Sequence, residues 1–216
     1  LTEDLSAGKK GGRRTGPNYT VRPDGAAQIA LIGPPNAGKS SLHARLTGSQ
    51  TDIGPYPLTT RLPIPGMLPY EDVYFQLVDL PPITTDYMES WIVNALQPAD
   101  AIMLVVDVSN PACIEQVQTV TSRLNEKKIF LSDYWPGLKQ EPKTKRRKHR
   151  RGHIVQAVDA IDDPFRLELP TLLVANKSDL NPDPGEVAVL EELLGVKFPP
   201  AVTSAKTGEG CDTIGP

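Results

Sequence analysis

Short apolar runs alternate with amphipathic stretches along most of this chain. The apolar runs predict buried strands at residues 27–32, 73–79, 101–107, 171–176 and 201–204, with a further strand around Leu68. Apolar positions at helical spacing predict helices at residues 39–46, 86–96, 111–124 and 186–194. Strands that alternate with helices of this length indicate parallel βαβ units, in which helices cover both faces of one sheet. The pattern therefore predicts a single α/β domain.

Two stretches depart from this alternation. Residues 1–25 are polar, rich in glycine and without a pattern, which predicts a flexible N-terminal arm before a domain at residues 26–216. Residues 127–169 interrupt the strand–helix rhythm and are expected to form an insertion. The chain stops after Gly215 and Pro216, where another helix is expected, so we expect the domain to be truncated at its C-terminus.

Composition narrows the class of protein. The 216 residues, of which 39% are hydrophobic, are enough for one domain with a full core. No apolar run approaches the ~20 residues that a membrane-spanning helix needs, so no membrane contact is expected. Cys113 and Cys211 are the only cysteines, too few for a disulfide framework or a zinc cluster. A reduced, cytoplasmic location is the expectation that follows.

Basic residues are concentrated in one short run inside the expected insertion. The net charge is −3, but residues 143–151 hold seven of the 23 lysines and arginines, which leaves 16 of them against 26 acidic residues elsewhere. A positive patch this dense predicts contact with the phosphate backbone of a nucleic acid, and a solvated, extended loop is the alternative. The basic residues of the run are Lys143, Lys145, Arg146, Arg147, Lys148, Arg150 and Arg151.

A phosphate-binding pattern follows the first predicted strand. Residues 33–40 read Gly-Pro-Pro-Asn-Ala-Gly-Lys-Ser, which fits G-x-x-x-x-G-K-[ST] between a strand and a helix. In this context the glycines let the backbone curl around a phosphate with its N–H groups pointing inward. Lys39 is expected to reach the β- and γ-phosphates, and the Ser40 hydroxyl to join the shell of a Mg²⁺ ion. Asp79, at the end of strand 73–79, is placed to hold that Mg²⁺ through water.

Two later motifs predict recognition of guanine. Residues 176–179 read Asn-Lys-Ser-Asp directly after a strand, about 140 residues beyond the phosphate loop. The Asp179 carboxylate can accept hydrogen bonds from guanine N1–H and the 2-amino group, neither of which adenine offers. Residues 204–206, Ser-Ala-Lys, follow the last strand and can present a backbone N–H to guanine O6. Asp107, at another strand end, is expected only to form a turn or cap a helix.

These motifs, in this order, resemble those of the translation-factor class of small GTPases. The five are the phosphate loop, Thr59-Thr60, Asp79-Leu80-Pro81, residues 176–179 and residues 204–206. Within that class, the segments at 56–60 (Tyr-Pro-Leu-Thr-Thr), 64–67 (Ile-Pro-Gly-Met) and 75–81 (Phe-Gln-Leu-Val-Asp-Leu-Pro) resemble the Obg/DRG family. The resemblance covers about residues 26–210, apart from 127–169. It implies a three-layer P-loop NTPase fold, the Ras-like G domain, with a mostly parallel sheet and one antiparallel strand pair.

The resemblance also implies a set of site residues. Those that would bind GTP or GDP are Gly33, Pro34, Pro35, Asn36, Ala37, Gly38, Lys39, Ser40, Ser41, Thr59, Thr60, Asp79, Asn176, Lys177, Asp179, Ser204, Ala205 and Lys206. Mg²⁺ would be held by Ser40, Thr60 and, through water, Asp79. Lys39 and Thr60 would be the catalytic residues, with Thr59 as the alternative to Thr60. Asn36 resembles the asparagine that helps to hold K⁺ in potassium-activated relatives.

The implied function is a GTPase that acts as a molecular switch in ribosome- or translation-related work. Its implied partner is the ribosome or its RNA, and relatives often carry a C-terminal TGS domain. Two residues depart from the family or from Ras-like proteins. At the position of Pro82 the family has a glycine, and the backbone N–H of that glycine contacts the γ-phosphate. Proline has no backbone N–H to make this contact. Ile83 stands where Ras-like proteins have a water-positioning glutamine.

These departures predict slow or partner-activated hydrolysis and leave a second class of function open. The alternative is a nucleotide-gated module that binds RNA or the ribosome and hydrolyses little GTP, because Pro82 replaces the switch glycine. A P-loop ATPase or small-molecule kinase is disfavoured, because the Asp179 carboxylate would find no partner on adenine.

Overall fold

The computed structural model describes residues 19–49, 62–133, 135, 165–180, 184–194 and 200–214. Within these residues the strands are β1 (Gln28–Ile32), β2 (Ile64–Tyr70), β3 (Val73–Asp79), β4 (Ala101–Asp107), β5 (Ile129–Ser132), β6 (Leu167–Asn176) and β7 (Pro200–Val202). The helices are α1 (Lys39–Thr47), α2 (Ile92–Leu96), α3 (Cys113–Glu126) and α4 (Pro184–Leu194).

All the strands belong to one sheet whose order places β1 in the middle. The order is β2-β3-β1-β4-β6-β5, and β7 also pairs with β6. Only β2 and β3 pair in the antiparallel sense, so the mostly parallel sheet with one antiparallel pair is confirmed. After β1 the chain forms β2 and β3 on one side of it and then crosses to form β4 on the other side. The connections therefore diverge at the carboxyl end of β1, and a crevice is expected there. Ligands bind at this kind of position in open α/β sheets.

The sheet separates two apolar clusters, as a three-layer fold requires. One cluster joins Ile32 and Leu104 to side chains of α2 and α3, including Ile92 and Val117. The other joins Leu31, Met103 and Val105 to Leu42 of α1 and to Ala201, Cys211 and Ile214 near the end of the chain. Every residue of β4 is buried, which explains its uninterrupted apolar sequence. Among the described residues no helix is long and apolar enough to cross a membrane.

Two elements differ from the predicted pattern. A helix over 86–96 was expected, but α2 begins only at Ile92, and the prediction was wrong for residues 86–91. The Thr84 hydroxyl accepts a hydrogen bond from the Tyr87 amide, and the Thr84 amide donates to the Tyr87 carbonyl, so a local turn competes with the helix. The segment 127–169 also contributes to the sheet at both ends, through β5 and the start of β6.

The end of the expected N-terminal arm is packed on the sheet. Residues 1–18 lie outside the described residues, but Tyr19 stacks on Trp91 with ring centroids 4.8 Å apart. Two buried glutamines hold the next residues. Gln28 Nε2 donates to Gln76 Oε1 at 2.6 Å and to the Val21 carbonyl at 3.3 Å, and Gln76 Nε2 donates to the Arg22 carbonyl at 3.2 Å. Tyr19, Val21 and Arg22 therefore contact the folded domain, although they lie within the arm expected at residues 1–25.

Replacing Gln76 with leucine tests this glutamine pair. The substitution removes an acceptor from Gln28 and a donor from the Arg22 carbonyl, so we expect the free energy of unfolding to fall by about 1–3 kcal/mol. Urea unfolding measures this loss, and limited proteolysis should cut near Arg22 more readily. Gln97→Leu, at an exposed position, is the control and should change stability by less than about 0.5 kcal/mol. Equal stability of the two variants would contradict the role of the pair.

Candidate nucleotide-binding site

The phosphate loop joins β1 to α1, and its course depends on two glycines. Gly38 has φ +86°, in the left-handed region that side chains other than glycine rarely adopt. A Cβ at Gly33 would lie 2.2 Å from the carbonyl oxygen of Val105, and one at Gly38 would lie 2.3 Å from Nδ2 of Asn176. Both positions therefore require glycine. Between them Asn36 is exposed, with φ 59°.

Lys39 is the buried cation of the loop. It is 6% exposed, and its Nζ donates hydrogen bonds to the carbonyls of Gly33 at 3.2 Å and Pro34 at 2.8 Å. Burial lowers the pKa of Lys39 from 10.5 to about 8, and the Asp79 carboxylate opposes this shift. Because its hydrogen-bond acceptors are neutral carbonyls, the charged form would be favoured further by an anion arriving at the loop.

Ser40 and Asp79 bring two oxygen ligands together beside this loop. The Ser40 hydroxyl donates to Oδ2 of Asp79 at 2.5 Å, and Asp79 is fully buried at the end of β3. A hydroxyl and a carboxylate suit Mg²⁺, which prefers oxygen and keeps several waters. No cluster of three or more acidic, histidine or cysteine side chains that could hold a metal occurs in the described part of the chain. A Mg²⁺ here would thus depend on the phosphates of a nucleotide for further ligands.

Asn176 connects the phosphate loop to the motifs near the end of the chain. Its Nδ2 donates to the carbonyl of Ala37 at 2.8 Å, although the two residues are 139 positions apart. Its Oδ1 accepts from the Ala205 amide at 3.0 Å and lies 3.5 Å from the Thr203 hydroxyl. Asn176 is 1% exposed, so this side chain serves to hold three segments together.

Lys177 is held by a carboxylate that sequence reasoning did not connect with it. Its Nζ lies 2.6 Å from Oδ2 of Asp107, at the end of β4. The other carboxylate oxygen of Asp107 accepts from the amide of Ser109 at 3.0 Å and from its hydroxyl at 2.5 Å. Asp107 forms the turn that was expected and also anchors Lys177. The strand register that places Asp107 beside Asn176 is known only from the structure, so the sequence alone gave no signal for this ion pair.

Asp179 is kept ionised by its neighbours. The Ser204 hydroxyl donates to its Oδ1 at 2.7 Å, and Nζ of Lys206 lies 3.7 Å from its Oδ2. The Ser204 hydrogen bond is the main cause that lowers the pKa of Asp179, with a smaller contribution from the charge of Lys206. The motif at 204–206 thus orients the carboxylate expected to recognise guanine.

One cavity of about 620 Å³ gathers residues from both ends of the chain. Its lining residues come from the phosphate loop, α1, the segment after β6 and the segment after β7. They are Gly38, Ser41, Arg45, Asn176, Lys177, Asp179, Leu180, Ala205 and Lys206. The sequence predicted all of these as site residues except Arg45 and Leu180, for which no motif gave a signal.

The segment after Asp79 folds back onto the phosphate loop. The Ile83 amide donates to the Gly33 carbonyl at 3.2 Å, and the Ile83 side chain is 1% exposed within the apolar core. Pro82 is also buried. An apolar side chain that lies in the core cannot orient a water molecule, so Ile83 does not replace a water-positioning glutamine.

Some predicted site residues lie outside the described residues. These are Thr59 and Thr60, and the whole basic run at 143–151. Their roles in binding Mg²⁺, GTP or RNA remain predictions.

Comparison with known proteins identifies the class of this domain. Residues 28–134 match the model of a family described as 50S ribosome-binding GTPase. The structure is similar to that of mGMPPNP-bound NFeoB from S. thermophilus, with a TM-score of 0.54 and 25% identity over 86% of this chain and 57% of that one. Era in complex with MgGDPNP and nucleotides 1506–1542 of 16S ribosomal RNA has a TM-score of 0.55 over 87% of this chain and 54% of that one, but at 19% identity it shows the fold alone. The chain is therefore a P-loop GTPase domain of the translation-factor class.

Relatives by sequence place it more narrowly. It is 33% identical to Developmentally-regulated G-protein 2 of Arabidopsis thaliana over 137 residues, which cover 59% of this chain and 34% of that protein. It is 27% identical to Ribosome-interacting GTPase 1 of Saccharomyces cerevisiae over 122 residues, covering 54% and 31%. These relatives fit the Obg/DRG-like resemblance that the sequence motifs predicted. The chain spans about a third of the length of these curated relatives.

The buried Lys39 should reduce stability in a pH-dependent way. Its pKa is about 8 in the folded chain and 10.5 when unfolded, so between these values the unfolded state binds more protons and stability rises with pH. Below pH 8 the full cost, about 3 kcal/mol, is present. Lys39→Met should therefore be more stable than the parent chain at pH 7, and the difference should shrink toward pH 10.5. Urea unfolding of both proteins across this range measures it, and a pH-independent difference would contradict the assignment.

Proposed function

We propose that this domain binds Mg²⁺·GTP and GDP and hydrolyses GTP slowly, as a switch that works with the ribosome. The observation that carries the proposal is the shared cavity. The phosphate loop and the guanine-recognition motifs are far apart in sequence, yet Gly38, Asp179 and Lys206 line the same space, and Asn176 bonds both regions. The description of the matched family as a GTPase supports the same assignment.

Asp179 is the proposed determinant of base specificity. Its carboxylate is ionised and oriented by Ser204, so it can accept from guanine N1–H and the 2-amino group. Adenine would leave this carboxylate without donors, a penalty that favours guanine. Lys177, held by Asp107, and the backbone of Ala205 and Lys206 complete the base site.

The other end of the site would bind the phosphates and Mg²⁺. Inward-pointing amides of the loop and the Lys39 ammonium bind the β- and γ-phosphates. Ser40 and Asp79, joined by their hydrogen bond, are the proposed Mg²⁺ residues, together with Thr60. In the reaction, water attacks the γ-phosphorus and the bond to the β-phosphate oxygen breaks, which gives GDP and phosphate. Lys39 and Thr60 stabilise the charge that develops.

Hydrolysis is expected to be slow without a partner. Ile83 is buried in the core, and the backbone nitrogen of Pro82 cannot donate to the γ-phosphate. Asn36 is exposed on the loop, where its side chain could help to hold K⁺ beside the phosphates. We therefore expect the rate to be low in Na⁺ and higher in K⁺.

The proposed partner is the ribosome, in the cytoplasm. The yeast relative is named a ribosome-interacting GTPase, and the basic run at 143–151 supplies charge suited to rRNA. The alternative of an RNA-binding module with little hydrolysis fits the position of Ile83 but not the family descriptions, so hydrolysis remains in the proposal.

Titration calorimetry with GDP, GMPPNP and ADP in Mg²⁺ and K⁺ tests the proposal. We expect GDP and GMPPNP to bind and ADP to bind at least about 100-fold more weakly, because two hydrogen bonds to a charged group are lost. A steady-state GTPase assay in K⁺ and in Na⁺ then separates the switch from the module with little hydrolysis. Equal affinity for GDP and ADP would overturn the proposed base site.

Asp179→Asn should change the preferred base from guanine to xanthine. The amide keeps the size of the side chain but can donate to the 2-oxo group of xanthine, and it no longer accepts from both guanine donors. Calorimetry should show an affinity for GDP that falls about 100-fold or more and an affinity for XDP that rises. Asp72→Asn, in the exposed turn between β2 and β3, removes the same charge away from the cavity and should leave both affinities unchanged. An unaltered affinity for GDP in the Asp179 variant would refute the assignment.

A further inference from the structure

Arg45 makes a contact that none of the sequence motifs anticipates. It lies in the last turn of α1, yet its Nε donates to the Ala205 carbonyl at 2.6 Å and its Nη2 donates to the Lys206 carbonyl at 2.9 Å. The guanidinium thus spans two successive peptide groups of the loop after β7, about 160 positions away in sequence. Arg45 also lines the cavity that holds the base-recognition residues.

These two bonds fix the direction of an amide that the site needs. A peptide group is planar and trans, so holding the Ala205 carbonyl toward Arg45 makes the Lys206 N–H point the opposite way. The preceding amide, that of Ala205, is already engaged by Asn176 Oδ1 at 3.0 Å. Within the described part of the chain, the Lys206 amide has no hydrogen-bond acceptor. It is therefore the backbone donor that remains for a ligand in this loop.

The loop is shaped to admit the arginine. Gly208 has φ +92°, and a Cβ there would lie 2.9 Å from Nη1 of Arg45. The loop is closed by its own hydrogen bonds, from the Gly208 amide to the Ser204 carbonyl at 2.8 Å and from the Thr207 amide to the Ser204 hydroxyl at 3.1 Å. Arg45 is the contact that ties this closed loop to the helix that follows the phosphate loop.

We propose that Arg45 is a positioning residue for base recognition, which aims the Lys206 backbone N–H at the O6 atom of guanine. This role rests on the proposed binding of guanine nucleotides. The planar fork of arginine suits two carbonyls held in fixed directions, whereas a lysine ammonium would act as a point charge and lose one of the directed bonds. Arg45 acts through the loop and is not itself proposed to touch the base.

The test compares GDP with one ligand that differs from it only at the 2-amino group and with another that lacks O6 and, with it, the N1–H. Calorimetry is carried out with GDP, with IDP, which keeps O6 and lacks the 2-amino group, and with the 5′-diphosphate of 2-aminopurine riboside, which lacks O6. For Arg45→Lys and Arg45→Gln we expect the affinities for GDP and IDP to fall by the same factor, about five- to tenfold, since one hydrogen bond is weakened. The affinity for the 2-aminopurine nucleotide should change less than about twofold.

Arg123→Gln is the matched control, because Arg123 lies on α3 and pairs with Glu126 outside the cavity. It should change none of the three affinities. The positioning role would be overturned if the Arg45 variants lost affinity equally for all three nucleotides, or lost no affinity for GDP. The proposed function would still stand in that case, provided that the parent chain binds GDP selectively. If the parent chain does not prefer guanine nucleotides to ADP, both proposals fail. Thermal unfolding of each variant shows whether it is folded, and Arg45→Lys keeps the charge near the C-terminal end of α1.

Discussion

The side chain of Asn176 is the contact on which the arrangement of the site depends. One amide group bonds the phosphate loop at Ala37 and the loop after β7 at Ala205, so two parts of the site that fold from distant sequence are fixed to each other. The close approach of Nδ2 to Gly38 explains why that position must be glycine. Because both ends of this amide are used and buried, a change in either loop would leave a polar group unsatisfied. The geometry of the cavity is therefore cooperative.

Affinity for an anion and stability of the empty fold oppose each other at Lys39. The chain buries an ammonium that donates hydrogen bonds to two neutral carbonyls, and its lowered pKa expresses the cost of that burial, which the Asp79 carboxylate opposes in part. A phosphate would reverse the sign of the local interaction, since an opposite charge favours the charged lysine. The substitution that is expected to stabilise the empty domain would thus remove the group proposed to bind a nucleotide, a common relation between stability and function.

Local patterns predicted the recognition motifs, most helices and every described strand except β5, because each of these depends on a few neighbouring residues. Most of the contacts that the sequence did not predict join distant segments. Arg45 donates to backbone carbonyls, which every residue has and which therefore leave no sequence signature. Gln28 and Gln76 are polar residues within apolar strands, and their side chains find each other as hydrogen-bond partners only in the folded sheet. The helix predicted over 86–96 is shorter because the Thr84 hydroxyl accepts from the Tyr87 amide and forms a turn. The spacing of apolar residues carries no information about such a side-chain hydrogen bond.

Backbone hydrogen bonds and apolar burial hold the segment after Asp79 in its position. Its backbone extends the pairing with β1, since the amides of Leu80 and Ile83 donate to the carbonyls of Leu31 and Gly33. Moving Ile83 into water would cost about 1.5–3 kcal/mol of apolar burial. In a G domain with glycine at position 82, a new hydrogen bond to the γ-phosphate could offset such a cost, but proline offers no donor. Any rearrangement that distinguishes GTP from GDP in this domain must therefore draw its free energy from groups other than the backbone of Pro82.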